Sequence, residues 1–225
     1  MHIEPGIVEG GKMVLGYVTA AGATATVLKL ALNTVRSDGI ASLAGRTVVA
    51  TALVFSFFQI LPHHPVGISE VHMIMGSTLF LLFGLAPTAL GLVLGLLIQS
   101  MFFAPLDLPQ YGMNITTLLV PLFAMSLLAK RIIPSKTPYK DLKYRQTLAL
   151  SSAYQGGIVS WVAFWAFYGQ GFGAENLAQV VPFGIAYMTV IILEPLVDLA
   201  ALALAKSFHR FKDSGMFEKR LYQAA

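Results

Sequence analysis

The chain contains no cysteine, and only 12% of its 225 residues are charged. The first absence excludes a disulfide framework and any thiolate metal site. The second excludes an ordinary soluble domain, in which about a quarter of the residues are charged. No Walker loop, zinc-binding His-Glu helix or Gly-rich nucleotide turn occurs, so neither ATP hydrolysis nor another enzyme activity is expected. A signal peptide is also missing. Glu4 and Glu9 precede the first apolar run, with no basic n-region and no small-residue cleavage site. The terminus is therefore expected to be retained, and Met1 to stay on because His2 is bulky. What is present is 56% hydrophobic residues, which fits one polytopic membrane domain without a soluble module. The formal charge of +4 lies between the apolar runs and does not imply nucleic acid.

Seven apolar runs follow one another: 12–32, 47–61, 71–83, 87–103, 113–128, 148–168 and 178–205. None alternates with period two, so the expected fold is all-α, a membrane helix bundle of about seven transmembrane helices rather than a barrel. The third and fourth runs together would make a helix of about 50 Å, too long for a hydrocarbon core of about 30 Å. Gly84-Leu85-Ala86-Pro87 supplies the break. The third run is then short, and is expected to start within the membrane plane after a loop that dips inward.

Charge sets the expected orientation. All lysines and arginines except Lys12 and Lys29 lie in 33–47, 129–146 and the tail after 205, while 62–70, 104–112 and 169–177 hold none. With seven spans the basic segments share one side, which puts the C-terminus in the cytoplasm and the N-terminus outside. The expected organisation is a single transmembrane domain over 1–225. Within it, 1–11 forms a metal-binding segment, 12–205 the bundle and 206–225 the cytoplasmic tail. Glu4, Glu9, Glu70, Asp107 and Glu175 make the outer side acidic, which attracts cations.

The chemistry gathers at Met1-His2-Ile3-Glu4-Pro5-Gly6. Amine and imidazole nitrogens bind transition metals, and four nitrogens in a plane suit Ni(II) or Cu(II). The Met1 amine and the deprotonated His2 amide close a five-membered chelate; that amide and His2 Nδ1 close a six-membered one. Binding releases protons, so affinity falls at low pH. One further nitrogen is needed from the same side of the membrane. His209 is in the tail, which leaves His72, at the head of an apolar run where an imidazole needs a partner, with His64 or His63 as the alternative.

The opening Met1-His2-Ile3 followed by Gly6 resembles the start of the CbiM and NikM proteins, the substrate-binding S components of energy-coupling factor (ECF) transporters for cobalt and nickel. Pro65-Val66-Gly67-Ile68-Ser69-Glu70-Val71-His72, with Gly76 after it, is similar to the family's ligand loop. Gln99 and Tyr111-Gly112-Met113-Asn114 match a third block. The resemblance implies metal bound by Met1, His2 and His72, with Ser69, Gln99 and Asn114 around them. It implies a subunit that captures and translocates Co(II) or Ni(II) across the inner (plasma) membrane. Its partners would be a transmembrane T component and cytoplasmic ATPase subunits of an ABC importer. Glu4-Pro5, His63-His64, Glu70 and Leu108-Pro109-Gln110 depart from the family pattern and leave both metals open. The competing readings are a membrane metalloprotein or haem-binding protein, and a stand-alone metal permease.

Three further features have plainer expectations. Gly16, Ala20 and Thr24 form a small-residue stripe expected to pack within the bundle. Met73, Met75, Met101 and Met113 are expected to fill the core rather than bind Cu(I). Glu194 and Asp198, four apart in the last run, are expected to form a structural pair or to contact a partner subunit.

Overall fold

Residues 3–208, 210 and 212–224 are described by the computed structural model. Helix α1 (Met13–Asp38), entered through a 3-10 turn at Gly10–Lys12, and α2 (Ile40–Gln59) are joined by one residue, Gly39. Its φ of 85° is a conformation open to glycine without strain. A loop over 33–47 was the expectation; Gly39 is the only residue there that breaks a helix, so both helices run into that segment.

An antiparallel hairpin follows, β1 (His64–Val66) and β2 (Ser69–Val71), then α3 (Gly76–Phe83) and α4 (Leu85–Phe102). Gly84, at φ 85°, makes the expected break between those two helices. The chain is mostly helical, as expected; the third run alone is corrected, because it contributes Val71 to a strand and becomes helical only at Gly76. A 3-10 turn at Pro105–Gln110 leads into α5 (Tyr111–Ile132), and another at Tyr139–Asp141 precedes α6 (Tyr144–Gln170). Helices α7 (Ala174–Met188) and α8 (Glu194–Ser207) are linked by a 3-10 turn at Thr189–Ile192, and α9 (Lys219–Tyr222) closes the described chain.

Among the described residues, five helical stretches are long and apolar enough to cross a membrane: Gly10–Asp38, Ile40–Gln59, Leu85–Phe102, Pro105–Ile132 and Ala174–Ser207. Helix α6 has 27 residues, about 40 Å, but Ser151, Tyr154 and Gln155 dilute its apolar run. At eight residues, about 12 Å, α3 is too short to cross alone.

Small residues let these helices approach closely. A Cβ on Gly91 or Gly95 of α4 would stand 2.6 Å from Ala50 or Val54 of α2, and one on Gly16 of α1 2.6 Å from Met113 of α5. The expected stripe on α1 packs inward at Gly16 and Ala20, but Thr24 is exposed. Ala23 and Val27 continue the buried face, since the 3.6-residue period carries position 24 off it. Met113 is buried as expected of a core filler, whereas Met101 is exposed.

At one end of the bundle the three basic segments meet. Arg46, 1% exposed, pairs with Asp38 and with Glu218 at 3.2 Å and donates to the Phe83 carbonyl at 3.1 Å. Lys219 reaches Asp38 at 2.6 Å, Arg220 donates to the Pro134 carbonyl at 3.0 Å, and the Glu218 amide donates to the Leu82 carbonyl at 2.8 Å. Removing the arginine alone leaves Glu218 without the cation it pairs with and Asp38 with Lys219 only. Arg46→Met is therefore expected to cost about 3–5 kcal/mol, read as a lower melting temperature. Adding Glu218→Gln should restore part of that loss.

At the other end, Lys12 Nζ donates to the Gly169 carbonyl at 2.8 Å and the Tyr17 hydroxyl to the Pro109 carbonyl at 2.9 Å. Gly67, at the hairpin tip, lies so close to Gln179 of α7 that a Cβ there would meet the Gln179 carbonyl oxygen at 2.2 Å. The segments poor in basic residues and the N-terminal strand gather at this end.

Candidate metal centre

The hairpin is a scaffold for one more strand. Ile3 bridges Ser69 in antiparallel fashion, and the Glu4 amide donates to the Ile68 carbonyl at 3.3 Å. From the facing side, the Ile3 amide donates to Asn114 Oδ1 on the first turn of α5 at 2.9 Å. Ile3, Ile7 and Val8 are buried and anchor the segment in the bundle, while Pro5 and Gly6 between them are exposed. Gly6, at φ 94°, turns the chain so that the Ile7 amide donates to the Glu4 carbonyl at 3.2 Å.

The seat is tight. A Cβ on Gly169 of α6 would come 1.9 Å from the Ile7 carbonyl oxygen. Gly169→Ala is expected to displace the N-terminal segment and leave the helices intact. Limited proteolysis should then cut near Ile7, with unchanged helicity by circular dichroism.

Strand geometry sorts the histidines. His64 pairs with Val71, so His64 and Val71 share one face of the hairpin and Glu70 and His72 the other. His64 is exposed. His72 is buried, and its Nε2–H donates to Glu70 Oε2 at 2.9 Å. The His63 ring stacks on His72, centroids 5.0 Å apart and planes 13° from parallel, while Phe58 covers it at 5.4 Å. Two imidazoles stacked face to face do not present nitrogens across a porphyrin, which disfavours the haem reading.

The other expected neighbours differ in distance from this group. Asn114 and Ser69 grip the N-terminal strand directly. Gln99 Nε2 donates at 3.4 Å to the carbonyl of Phe58, the residue against His72, and so reaches the histidine at one remove. Met1, His2 and His209 lie outside the described residues. Among the described residues no three of His, Cys, Asp and Glu converge as a metal-binding group.

Burial, with Glu70 and Asp107 nearby, raises the Glu4 carboxyl above its ordinary range. Three acids of the expected outer set are thus within electrostatic reach of one another beside the hairpin. Such a cluster concentrates cations. Sequence reasoning overlooked Glu70 as the partner of His72. The signal was their two-residue spacing, which puts both side chains on one face of a strand but not of a helix.

Comparison with known proteins adds an independent observation. A family model described as CbiM, cobalt uptake substrate-specific transmembrane region, matches residues 2–210. Two solved structures are similar. A truncated transition metal transporter aligns with a TM-score of 0.66 at 18% identity, covering 93% of this chain and 99% of that one. A transition metal transporter aligns with a TM-score of 0.65 at 17% identity, covering 95% and 99%. At such identities the likeness concerns the fold alone. No curated protein matches the chain.

Proposed function

Because the chain belongs to the CbiM family of cobalt-uptake substrate-specific transmembrane regions, a family of multi-pass membrane proteins of metal uptake, we propose that it captures a divalent transition metal outside the cell and passes it inward as the substrate-binding subunit of an ECF-type importer. The cargo is Co(II) or Ni(II). The bundle crosses the plasma membrane seven times, with the N-terminus outside and the C-terminus in the cytoplasm. The hairpin with α3 makes the third crossing, and α6 the sixth. Separation of the basic segments from the hairpin end supports this orientation, and irregular backbone within a bundle is tolerated where protein surrounds it.

One observation carries the reading: the Ile3 amide, bonded covalently to His2, is held by Asn114 at 2.9 Å while Ser69 pairs with Ile3. Two residues span at most about 7 Å, so this reading requires the Met1 amine, the His2 nitrogens and His72 to meet within that reach of Ile3. The amine, the His2 amide and His2 Nδ1 supply three ligands, and His72 the fourth. Glu70 orients the imidazole from behind, as carboxylates do for metal-bound histidines. No chain atom here hydrolyses ATP; that work falls to ATPase subunits, coupled through a transmembrane T component.

The test is uptake of radioactive cobalt and nickel by cells expressing this chain with and without those partners. Uptake that requires all components supports the importer. Full uptake by the chain alone indicates a stand-alone permease, and none under any condition overturns the reading.

A further inference from the structure

Glu194 opens α8, and Asp198 follows one turn later on the same face. Both are 0% exposed, so a docked partner subunit does not reach them and the partner-contact expectation is corrected to internal packing. Ser151 Oγ at 2.6 Å and Gln155 Nε2 at 2.5 Å, both on α6, donate to one oxygen of Glu194, Oε2. Ser77 Oγ donates to Asp198 Oδ2 at 2.9 Å, and Thr78 Oγ1 donates to Oδ1. Ser77 and Thr78 belong to the first turn of α3, whose N-terminal amides favour a negative charge. Ser77 lies against both acids, and the two carboxyls act on each other electrostatically. Among the described residues neither acid pairs with Lys, Arg or His.

A second observation concerns Glu194. Four polar atoms around it have no hydrogen-bond partner among the described residues: its own Oε1, Gln155 Oε1, and the hydroxyls of Tyr154 and Tyr187. All four residues are 0% exposed. Gln155 Oε1 shares a carboxamide with the nitrogen that touches Glu194, and both tyrosines act electrostatically on that carboxyl. With a hydrogen on it, Glu194 Oε1 becomes a donor, and Gln155 Oε1, an acceptor without a partner among the described residues, belongs to the carboxamide already held against that carboxyl. Two carboxylates that share Ser77, lie shut away from water and pair with no cation do not both stay ionised. Asp198 receives two hydroxyl donors and a helix N-terminus, so it is the better anion; Glu194, bonded at one oxygen only, is the better acid.

We propose that α3, α6 and α8 enclose an intramembrane proton-binding site in which Glu194 carries a proton on Oε1 and Asp198 is the carboxylate. The groups facing it are Ser77 and Thr78 from α3, Ser151, Tyr154 and Gln155 from α6, and Tyr187 from α7. Proton binding makes one O–H bond and needs no other reactant. Ser77 follows His72 by five residues, so the proton sits at the base of the loop bearing that histidine. The site stands whatever metal the chain binds.

Infrared spectroscopy of the full chain in lipid nanodiscs tests it. A protonated-carboxyl C=O band that shifts in D2O is expected at neutral pH, lost in Glu194→Gln and kept in Asp198→Asn. Glu194→Gln copies the neutral acid in shape, so wild-type helicity and melting temperature are expected of it. Absence of the band, its survival in Glu194→Gln, or misfolding of that variant overturns the proposal. So does a melting temperature raised by sodium chloride but not by choline chloride, which would make the occupant an alkali cation.

Discussion

Adding a single residue before Met1 should abolish the tight binding of Ni(II) and Co(II) that depends on His72. The added peptide bond converts the terminal amine into an amide nitrogen and moves the new amine one residue further out, so the three-nitrogen set that leaves one corner for His72 is lost. The chain cannot recover by sliding. Ile3 is fixed by Asn114 and paired with Ser69, and a one-residue slip in a strand turns every side chain to the opposite face. Loss of an outer partner of a metal ligand typically costs about 10–100-fold in affinity, and loss of a chelating ligand should exceed that range. Isothermal titration of the full chain in detergent or nanodiscs measures the effect, with mass spectrometry reporting whether Met1 is retained. An unchanged dissociation constant in the extended chain, still lost in His72→Ala, would sink the terminal chelate.

The second large effect concerns the hairpin. His72→Ala is expected to remove tight binding, and His64→Ala to leave it unchanged. The reason is geometric: His72 is buried on the Glu70 face of the hairpin, whereas His64 is exposed on the other. Glu70→Gln keeps the shape but removes the charge that orients the imidazole, with an expected loss of about 10–100-fold. His63→Ala removes the ring stacked on His72 and should loosen the imidazole, with a loss similar to that of Glu70→Gln. Ligand-field absorption of bound Ni(II) separates the roles, since a lost ligand changes the coordination geometry and a lost support does not. Retained binding in His72→Ala with loss in His63→Ala or His64→Ala would reassign the fourth ligand.

Much of this was legible in the residues. Hydropathy marked the helices because each apolar run reports its own transfer free energy, independent of its neighbours. Gly84 announced the break before α4, since glycine reaches a φ of 85° at little cost. The hairpin was hidden for the same reason the helices were visible. Val71-His72-Met73-Ile74-Met75 is apolar enough to pass for a helix, but Val71 pairs with His64 in the hairpin and the chain becomes helical only at Gly76. That error concealed Glu70. Glu194 and Asp198 were visible as a pair on one helix face, but their burial depends on Ser77, Thr78, Ser151 and Gln155 from two other helices.

The sequence by itself determined the membrane class, the helical runs, the one-sided placement of lysine and arginine, and the nitrogen-rich terminus with its small set of candidate histidines. These are properties of single residues and short windows. Only the tertiary structure decided that the Ile3 amide meets Asn114 across 111 residues of chain, that His72 rather than His64 faces Glu70, and that two acids on α8 are sealed by α3 and α6. Such convergences follow from how whole helices pack, which sums many weak contacts over the bundle and leaves no mark in any local stretch.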